Sequence, residues 1–384
     1  MKVGIHSSSR WLALAGLALL LAAPARADVG LGKDEKLRVF GDFRFRLESD
    51  WDSQTPAGDE RPDRNRARVR ARLGFRYEPT AGINLALRVR TGKQASQQSP
   101  FITVLDSDNG SVAENDYFWD EWYLFLKKRG AWTTLGRDTF PFWKQNEMVL
   151  DDDFTLAGVS GGYRSERDAN HVEITAGHFS LPDGMTRAIG NLAAAQLVYS
   201  RVEQRWGVTG ALGSYLFLGS PNSINLINGN GGRDYALWVG SLQGRIFAGS
   251  WPVTIGLDVA HNAQDYSRED SDPFTVANRR HKDGYVRSAS TGRMKERGDW
   301  LFAWYYARIE TLAVHASYAQ DDWVRWGGRH AGGQQRHEGV RAEGRLRAGE
   351  GAHPAGAPLR GRGDHERAGR KTRTPRSGVR VLVW

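Results

Sequence analysis

The chain of 384 residues contains no cysteine. This excludes a disulfide framework and a cysteine-held metal centre, and it lets the chain cross an oxidising compartment without mispairing. Long apolar runs are also scarce. The run from Trp11 to Ala23 is followed by no charge-free stretch of comparable length, and even that run falls short of the roughly twenty residues a spanning helix needs. Any membrane crossing by the rest of the chain must therefore use strands. An excess of positive charge is missing from the body as well, although the formal net charge is +9. Residues 328–384 hold thirteen Lys and Arg against five Asp and Glu, and Lys2, Arg10 and Arg26 add three more positive charges, so residues 28–327 carry about −2. A near-neutral body is not the electrostatic footprint of a nucleic-acid-binding protein.

What is present is alternation. From Arg64 to Tyr77, in RNRARVRARLGFRY, Arg64, Arg66, Arg68, Arg70 and Arg72 take even positions, while Ala67, Val69, Ala71, Leu73, Phe75 and Tyr77 take odd ones. A period of two puts guanidiniums on one face of a strand and apolar groups on the other. Leu37 to Glu48 repeats the pattern, with Asp42, Arg44, Arg46 and Glu48 on its charged face, and Ile83 to Thr91 adds Arg88 and Arg90. Further strands are expected at Asp116 to Lys128, whose apolar face cannot be assigned, then at Trp132 to Phe140, Thr155 to Arg164, around Val172 to Ala176, and Leu192 to Arg201. The remaining ones are Trp206 to Leu218, Tyr235 to Phe247, Trp251 to Asn262, Gly284 to Met294 and Asp299 to Arg308. Long polar connections alternate with short turns, and Trp132, Trp206, Trp251 and Trp300 fall beside the short turns, where an interfacial girdle would place them. A secreted two-sheet sandwich could also alternate, but this rhythm is that of an outer-membrane barrel. Five arginines facing lipid would cost on the order of 10 kcal/mol, so the arginine face is expected to line the lumen.

Lys2 and Arg10 flank the start of the apolar run, and Ala25-Arg26-Ala27 follows it with small residues, the pattern of a secretory signal peptide over residues 1–27 cut after Ala27. The segments GDFRFRLESD, RNRARVRARLGFRYEPTAGINLALRVRTG, DEWYLFL, LGRD and FWKQNEMVLDDDFTLAGVSGGY resemble the bacterial putative-porin family, which is related to general porins and alginate-export barrels. GDWLFAWYYARIETLAVHASYAQDDW is similar to that family's later strands, so the resemblance covers roughly residues 38–326. It breaks off at Gly328. Residues 328–384 contain twelve Arg and twelve Gly, and no Phe, Tyr or Ile. A translational frameshift near Gly327 that has replaced the closing strands accounts for this. A disordered basic tail is the milder reading.

Other chemistry is thinly supported. Gly158-Val159-Ser160-Gly161-Gly162 matches a nucleophile elbow, but it lies in a strand pattern with no helix after it. His171 and His178 are seven apart and so face opposite sides of a strand. Asp151, Asp152 and Asp153 lack the ligand spacing of a dedicated calcium loop. No catalytic residue, cofactor or metal is expected.

The expected fold is all-β: an antiparallel transmembrane barrel over residues 28–327, about sixteen strands when intact. The expected pore lining is Asp42, Arg44, Arg46, Glu48, Arg64, Arg66, Arg68, Arg70, Arg72, Arg88 and Arg90. Residues 141–153, with Phe142, Trp143, Lys144 and Glu147, are the candidate constriction loop. The expected function is a passive porin for small hydrophilic solutes with an anion preference; the alternative is an exporter or binder of acidic polysaccharide. Expected partners are outer-membrane lipid, anionic or other small solutes, and further copies of the chain in a homo-oligomer, with no nucleic acid.

Overall fold

The computed structural model describes residues 25–51, 64–94, 97, 100–106, 116–218, 233–248, 251–268, 272–293, 299–315, 317–319, 337–346 and 378–382. Most of the expected signal segment and of the 328–384 tail lies outside the described residues. The described chain is built from β1 (Ala25–Leu31), β2 (Leu37–Trp51), β3 (Arg64–Thr80), β4 (Ile83–Gly92), β5 (Ile102–Asp106), β6 (Asp116–Lys128) and β7 (Ala131–Thr139). There follow β8 (Thr155–Arg167), β9 (Asn170–Asp183), β10 (Arg187–Val202), β11 (Trp206–Leu218), β12 (Tyr235–Ala248) and β13 (Trp251–Asn262). A short helix, α1 (Pro273–Asn278), precedes β14 (Asp283–Gly292), β15 (Trp300–Ile309), β16 (His337–Leu346) and β17 (Gly378–Leu382).

All pairings are antiparallel, and the strands belong to one sheet. Ladders run from β17 through β2, β3, β4 and β6, then strand by strand to β16. β1 and β17 share one edge of β2. Two strands, β16 and β17, therefore come from the tail and stand at the ends that a barrel has to bring together.

Alternation decides the two faces. Leu73, Phe75, Leu85, Leu87, Leu135, Ile174, Leu212, Leu242, Ile255 and Val259 are exposed on the outside, as the apolar band of a membrane barrel requires. Trp206, Trp251 and Trp300 are exposed beside the short turns, and the rings of Trp251 and Trp300 lie 4.7 Å apart, as expected of a girdle. Trp132 is the exception. It shares the inward face of β7 with buried Thr134, while Leu135 points out, and its indole stacks on Phe125 at 6.2 Å.

Three further differences have local causes. The expected long connection from Gly92 contains β5, which takes the upper edge of β3 beyond the reach of β4. The alternation of long and short connections lapses between β9 and β10, which are joined by residues 184–186 alone. Across the far half of the barrel the inward face is apolar instead of polar: Leu192, Leu237, Val239, Ala260, Val286 and Ala307 are buried. They are covered by Phe142, Met148, Leu150 and Phe154 from the β7–β8 connection and by Leu312, Ala313, Val314, Tyr318 and Ala319 after β15. Both in-folded segments thus rest on a hydrophobic seat inside the barrel.

Candidate pore constriction

Opposite that apolar seat stands the wall formed by β2, β3 and β4. Register places Asp42 against Arg72, Arg44 against Arg70, Arg46 against Arg68 and Glu48 against Arg66, and Arg90 beside Arg72. Directly opposed residues share a face, and the partners of these side chains lie inside the barrel. Asp42 receives Arg70 at 2.8 Å and Arg72 at 2.5 Å. Glu48 receives Arg66, Arg68 at 3.0 Å and Arg46 at 3.6 Å. Arg88 makes a forked contact with Asp120, at 3.1 and 2.7 Å, and reaches Glu121 at 2.6 Å. Arg90 donates to the carbonyls of Asp153 and Gln97, each at 2.8 Å. Arg64 begins β3 opposite Asp50.

Phe101, from the β4–β5 connection, sits against the guanidiniums of Arg46, Arg68 and Arg70, with its centroid 4.2, 5.7 and 5.5 Å away. Such contacts hold the cations without consuming their charge. Arg44 stands apart: among the described residues it has no hydrogen bond or ion-pair partner.

The β7–β8 connection leaves β7 and lies first against the apolar seat. Phe142 is buried, and its ring lies 4.6 Å from that of Phe140 and 5.7 Å from that of Tyr215. The Trp143 amide donates to the Gln196 side chain of β10, which donates back to the Trp143 carbonyl, each at 2.8 Å. Gln145 donates to the carbonyls of Leu242 and Leu257, and Asn146 to the Asp258 carboxylate. The segment then reaches the basic wall, where Asp153 accepts from Arg70 at 3.2 Å. A cavity of about 30 Å³, room for one water, remains between the loop and β10–β13, lined by Trp143, Lys144, Gln196 and Asp258 among others.

Within the loop, Lys144 pairs with Asp152 at 2.6 Å. Burial, and next the hydrogen bond and negative charge of Asp152, push the Glu147 carboxyl up to about 8. Glu147 is therefore neutral at pH 7, and Lys144–Asp152 is a compensated pair. The carboxylate that the loop sets directly against the wall is Asp153, on Arg70.

The expected wall residues with described side chains and the expected loop residues are thus brought to the two sides of one interior space. Sequence reasoning missed Asp120, Glu121, Asp153 and Phe101 as their partners. Asp120 and Glu121 are neighbours, yet both are buried, because a register shift between Arg88 and Val89 puts an extra residue into β6. In β7, whose register is unbroken, Gly136 takes φ 122 and Arg137 next to it donates to Thr155 and to the Met185 carbonyl. A Cβ at Gly136 would strike the Trp122 carbonyl.

The other candidate groups have mundane settings. Ser160 lies within β8 between Thr134 and Gly177, with no turn into a helix, so the elbow geometry is not formed. His171 is half-buried and His178 exposed, on opposite faces of β9. Asp151 accepts from the Asp153 amide, and among the described residues no group of three or more acidic or histidine side chains is placed to hold a metal.

Residues 43–226 match the model of the family described as Putative porin. Over that span the resemblance read from the sequence is borne out. The apolar outer band and the charged interior described above agree with that family's barrel over the matched span. No curated protein matches it. Among solved structures, it is similar to OmpF of Salmonella typhi in complex with daunomycin, at 11% identity over 83% of this chain and 87% of that one, with a TM-score of 0.46. It is similar to the anion-selective porin from Comamonas acidovorans at 10% identity over 71% of this chain and 88% of that one, with a TM-score of 0.37. The trimer form of OmpT from Vibrio cholerae matches at 10% identity over 73% of this chain and 93% of that one, with a TM-score of 0.38.

Proposed function

We propose that the chain is a passive porin for small hydrophilic solutes that favours anions, with the constriction between the arginine wall and the β7–β8 loop as its selecting element. The observation that carries this reading is the loop's course. It leaves β7, docks on β10, β12 and β13, and reaches Arg70 of the wall through Asp153, so the interior is narrowed by a braced segment beside a row of guanidiniums. Such a row raises the local anion concentration. The matched residues include β3, β4 and the loop itself.

Export in this reading depends on the N-terminal signal, cut after Ala27, which leaves Asp28 and its pair with Arg38 at 2.8 Å near the new terminus. Residues 28–327 are the barrel domain, and residues 328–384 stand in place of its original closing strands.

Planar-bilayer recording on the full-length protein tests the reading. Discrete conductance steps and a reversal potential showing chloride more permeant than potassium are expected across a KCl gradient. A silent protein would sink the porin reading, and a potassium-selective one would remove the anion preference.

The same recordings carry a pH prediction. Glu147 holds its proton up to about pH 8, so raising the pH from 6 to 9 adds one negative charge to the loop. The chloride preference should fall over that interval, and Glu147→Gln should flatten the change. The linked effect on folding has the same sense. The folded chain keeps a proton that the unfolded chain has released above an ordinary glutamate pKa, so the loop's docking is favoured at low pH and weakens as pH rises through about 8.

A further inference from the structure

The connection between β13 and β14, residues 263–282, is braced by buried polar groups that the constriction does not use. Asn262, buried at the end of β13, donates to the Tyr266 hydroxyl at 3.0 Å and to the Leu312 carbonyl at 2.7 Å, and the Tyr266 hydroxyl donates to the Asp234 carbonyl at 2.7 Å. Buried Arg233 pairs with Asp272, which caps α1, and its guanidinium lies 4.8 Å from the Phe274 ring centroid. Beside this frame opens a cavity of about 530 Å³, lined by Asp265, Tyr266, Arg268, Arg279, Arg280 and Lys282 among others. That is the size of a pocket for a small organic molecule. Four of the lining residues are cations and one is a carboxylate. Arg279 and Lys282 are pinned by the carbonyls of Val276 at 2.6 Å and Gln264 at 3.0 Å. Arg268 and Arg280 are exposed and, among the described residues, have no hydrogen-bond or ion-pair partner. The fold makes no use of these two charges.

We infer that this cavity binds a sugar phosphate at the extracellular mouth, ahead of the constriction. The inference rests on the porin reading, in which long connections lie on the extracellular side. Charge selects the phosphate. A phosphomonoester carries about −1.5 to −2 at pH 7, which the lining's excess of three positive charges attracts more strongly than it attracts a single carboxylate. Guanidiniums with free donors form parallel hydrogen bonds to phosphate oxygens. Asp265 selects the rest of the ligand. Its carboxylate accepts from hydroxyl groups, which a sugar offers, and repels a second phosphate. Inorganic phosphate alone would leave most of the cavity unfilled.

The full-length chain, folded in detergent, is titrated by calorimetry with glucose 6-phosphate, glucose, glucuronate and inorganic phosphate. The wild type should bind glucose 6-phosphate about tenfold more tightly than glucuronate or inorganic phosphate, and should not bind glucose. Replacing both free cations, Arg268→Ser with Arg280→Ser, should weaken glucose 6-phosphate by about tenfold or more, the size of a lost charge-assisted hydrogen bond. Asp265→Ala should make glucose 6-phosphate and inorganic phosphate nearly equal. All three side chains are exposed, so their replacement leaves the packing of the barrel in place. Equal binding of glucose 6-phosphate by the double variant and the wild type would overturn the proposal. So would inorganic phosphate or glucuronate binding as tightly as glucose 6-phosphate, which would leave a general attraction for anions, and so would an unchanged preference in Asp265→Ala. Bilayer recordings of the same preparations separate the site from the channel. A conducting protein that fails these criteria overturns the sugar-phosphate site alone, a silent protein that meets them overturns the porin reading alone, and one that neither conducts nor binds overturns both.

Discussion

Arg44→Glu is expected to lower the chloride-to-potassium permeability ratio by about an order of magnitude. The sign follows from how the wall's charge is distributed. Eight guanidiniums with described side chains, those of Arg44, Arg46, Arg66, Arg68, Arg70, Arg72, Arg88 and Arg90, face five carboxylates, those of Asp42, Glu48, Asp120, Glu121 and Asp153. Seven of the eight are held by those carboxylates, and Arg44 is not. The seven share five carboxylates and keep +2 among them, each locally offset by an acid, whereas Arg44 presents a whole charge with no acid against it and so acts most strongly on an ion passing beside it. At about 5 Å in water-like surroundings a unit charge shifts an ion's energy by about 0.8 kcal/mol, and reversal doubles the change. Arg46→Glu is the comparison. Arg46 pairs with Glu48 at 3.6 Å, so its loss leaves Arg66 and Arg68 on that carboxylate and should move the ratio far less. Reversal potentials in a KCl gradient measure both. Equal effects from the two substitutions would mean that the wall acts as a sheet of charge.

That division of labour was not legible in the sequence, although the wall was. Period-two alternation located β3 from its first residue, and the ends of β6, β11 and β13 agree with the expected ranges, because one lipid-facing side forces apolar residues onto every second position. It failed where that constraint relaxes. In β10 the inward Leu192, Ala194 and Val198 are as apolar as the outward Leu197, since the inward face meets a folded loop instead of water. In β6 the extra residue at Asp120 reverses the phase mid-strand, which is why no single apolar face could be assigned there. The carboxylates that neutralise the wall come from as far as 83 residues away in the chain, as between Arg70 and Asp153, and spacing cannot reveal such pairs.

Asp120→Ala is expected to destabilise the folded barrel by about 3–5 kcal/mol, the usual cost of removing one partner from a buried ion pair. Asp120 and Arg90 are both fully buried. Asp120 accepts the forked contact from Arg88 and lies 3.7 Å from the Arg90 guanidinium. Without it, Arg90 keeps the carbonyls of Asp153 and Gln97 but no carboxylate, and Arg88 keeps Glu121 alone. Two desolvated guanidiniums would then share one acid. The loss should reach the constriction, because Arg90 also fixes Asp153, where the loop meets the wall. Urea titration of folded protein, read as the midpoint for loss of heat-modifiable migration, should show the drop, and bilayer recordings of the surviving fraction should show noisier open levels. Asp120→Asn separates charge from shape: it fills the same space and can still accept from Arg88, so it should recover part of the stability while leaving the wall one charge more positive. Full recovery by Asn would show that hydrogen bonding, and not the ion pair, holds this corner of the barrel.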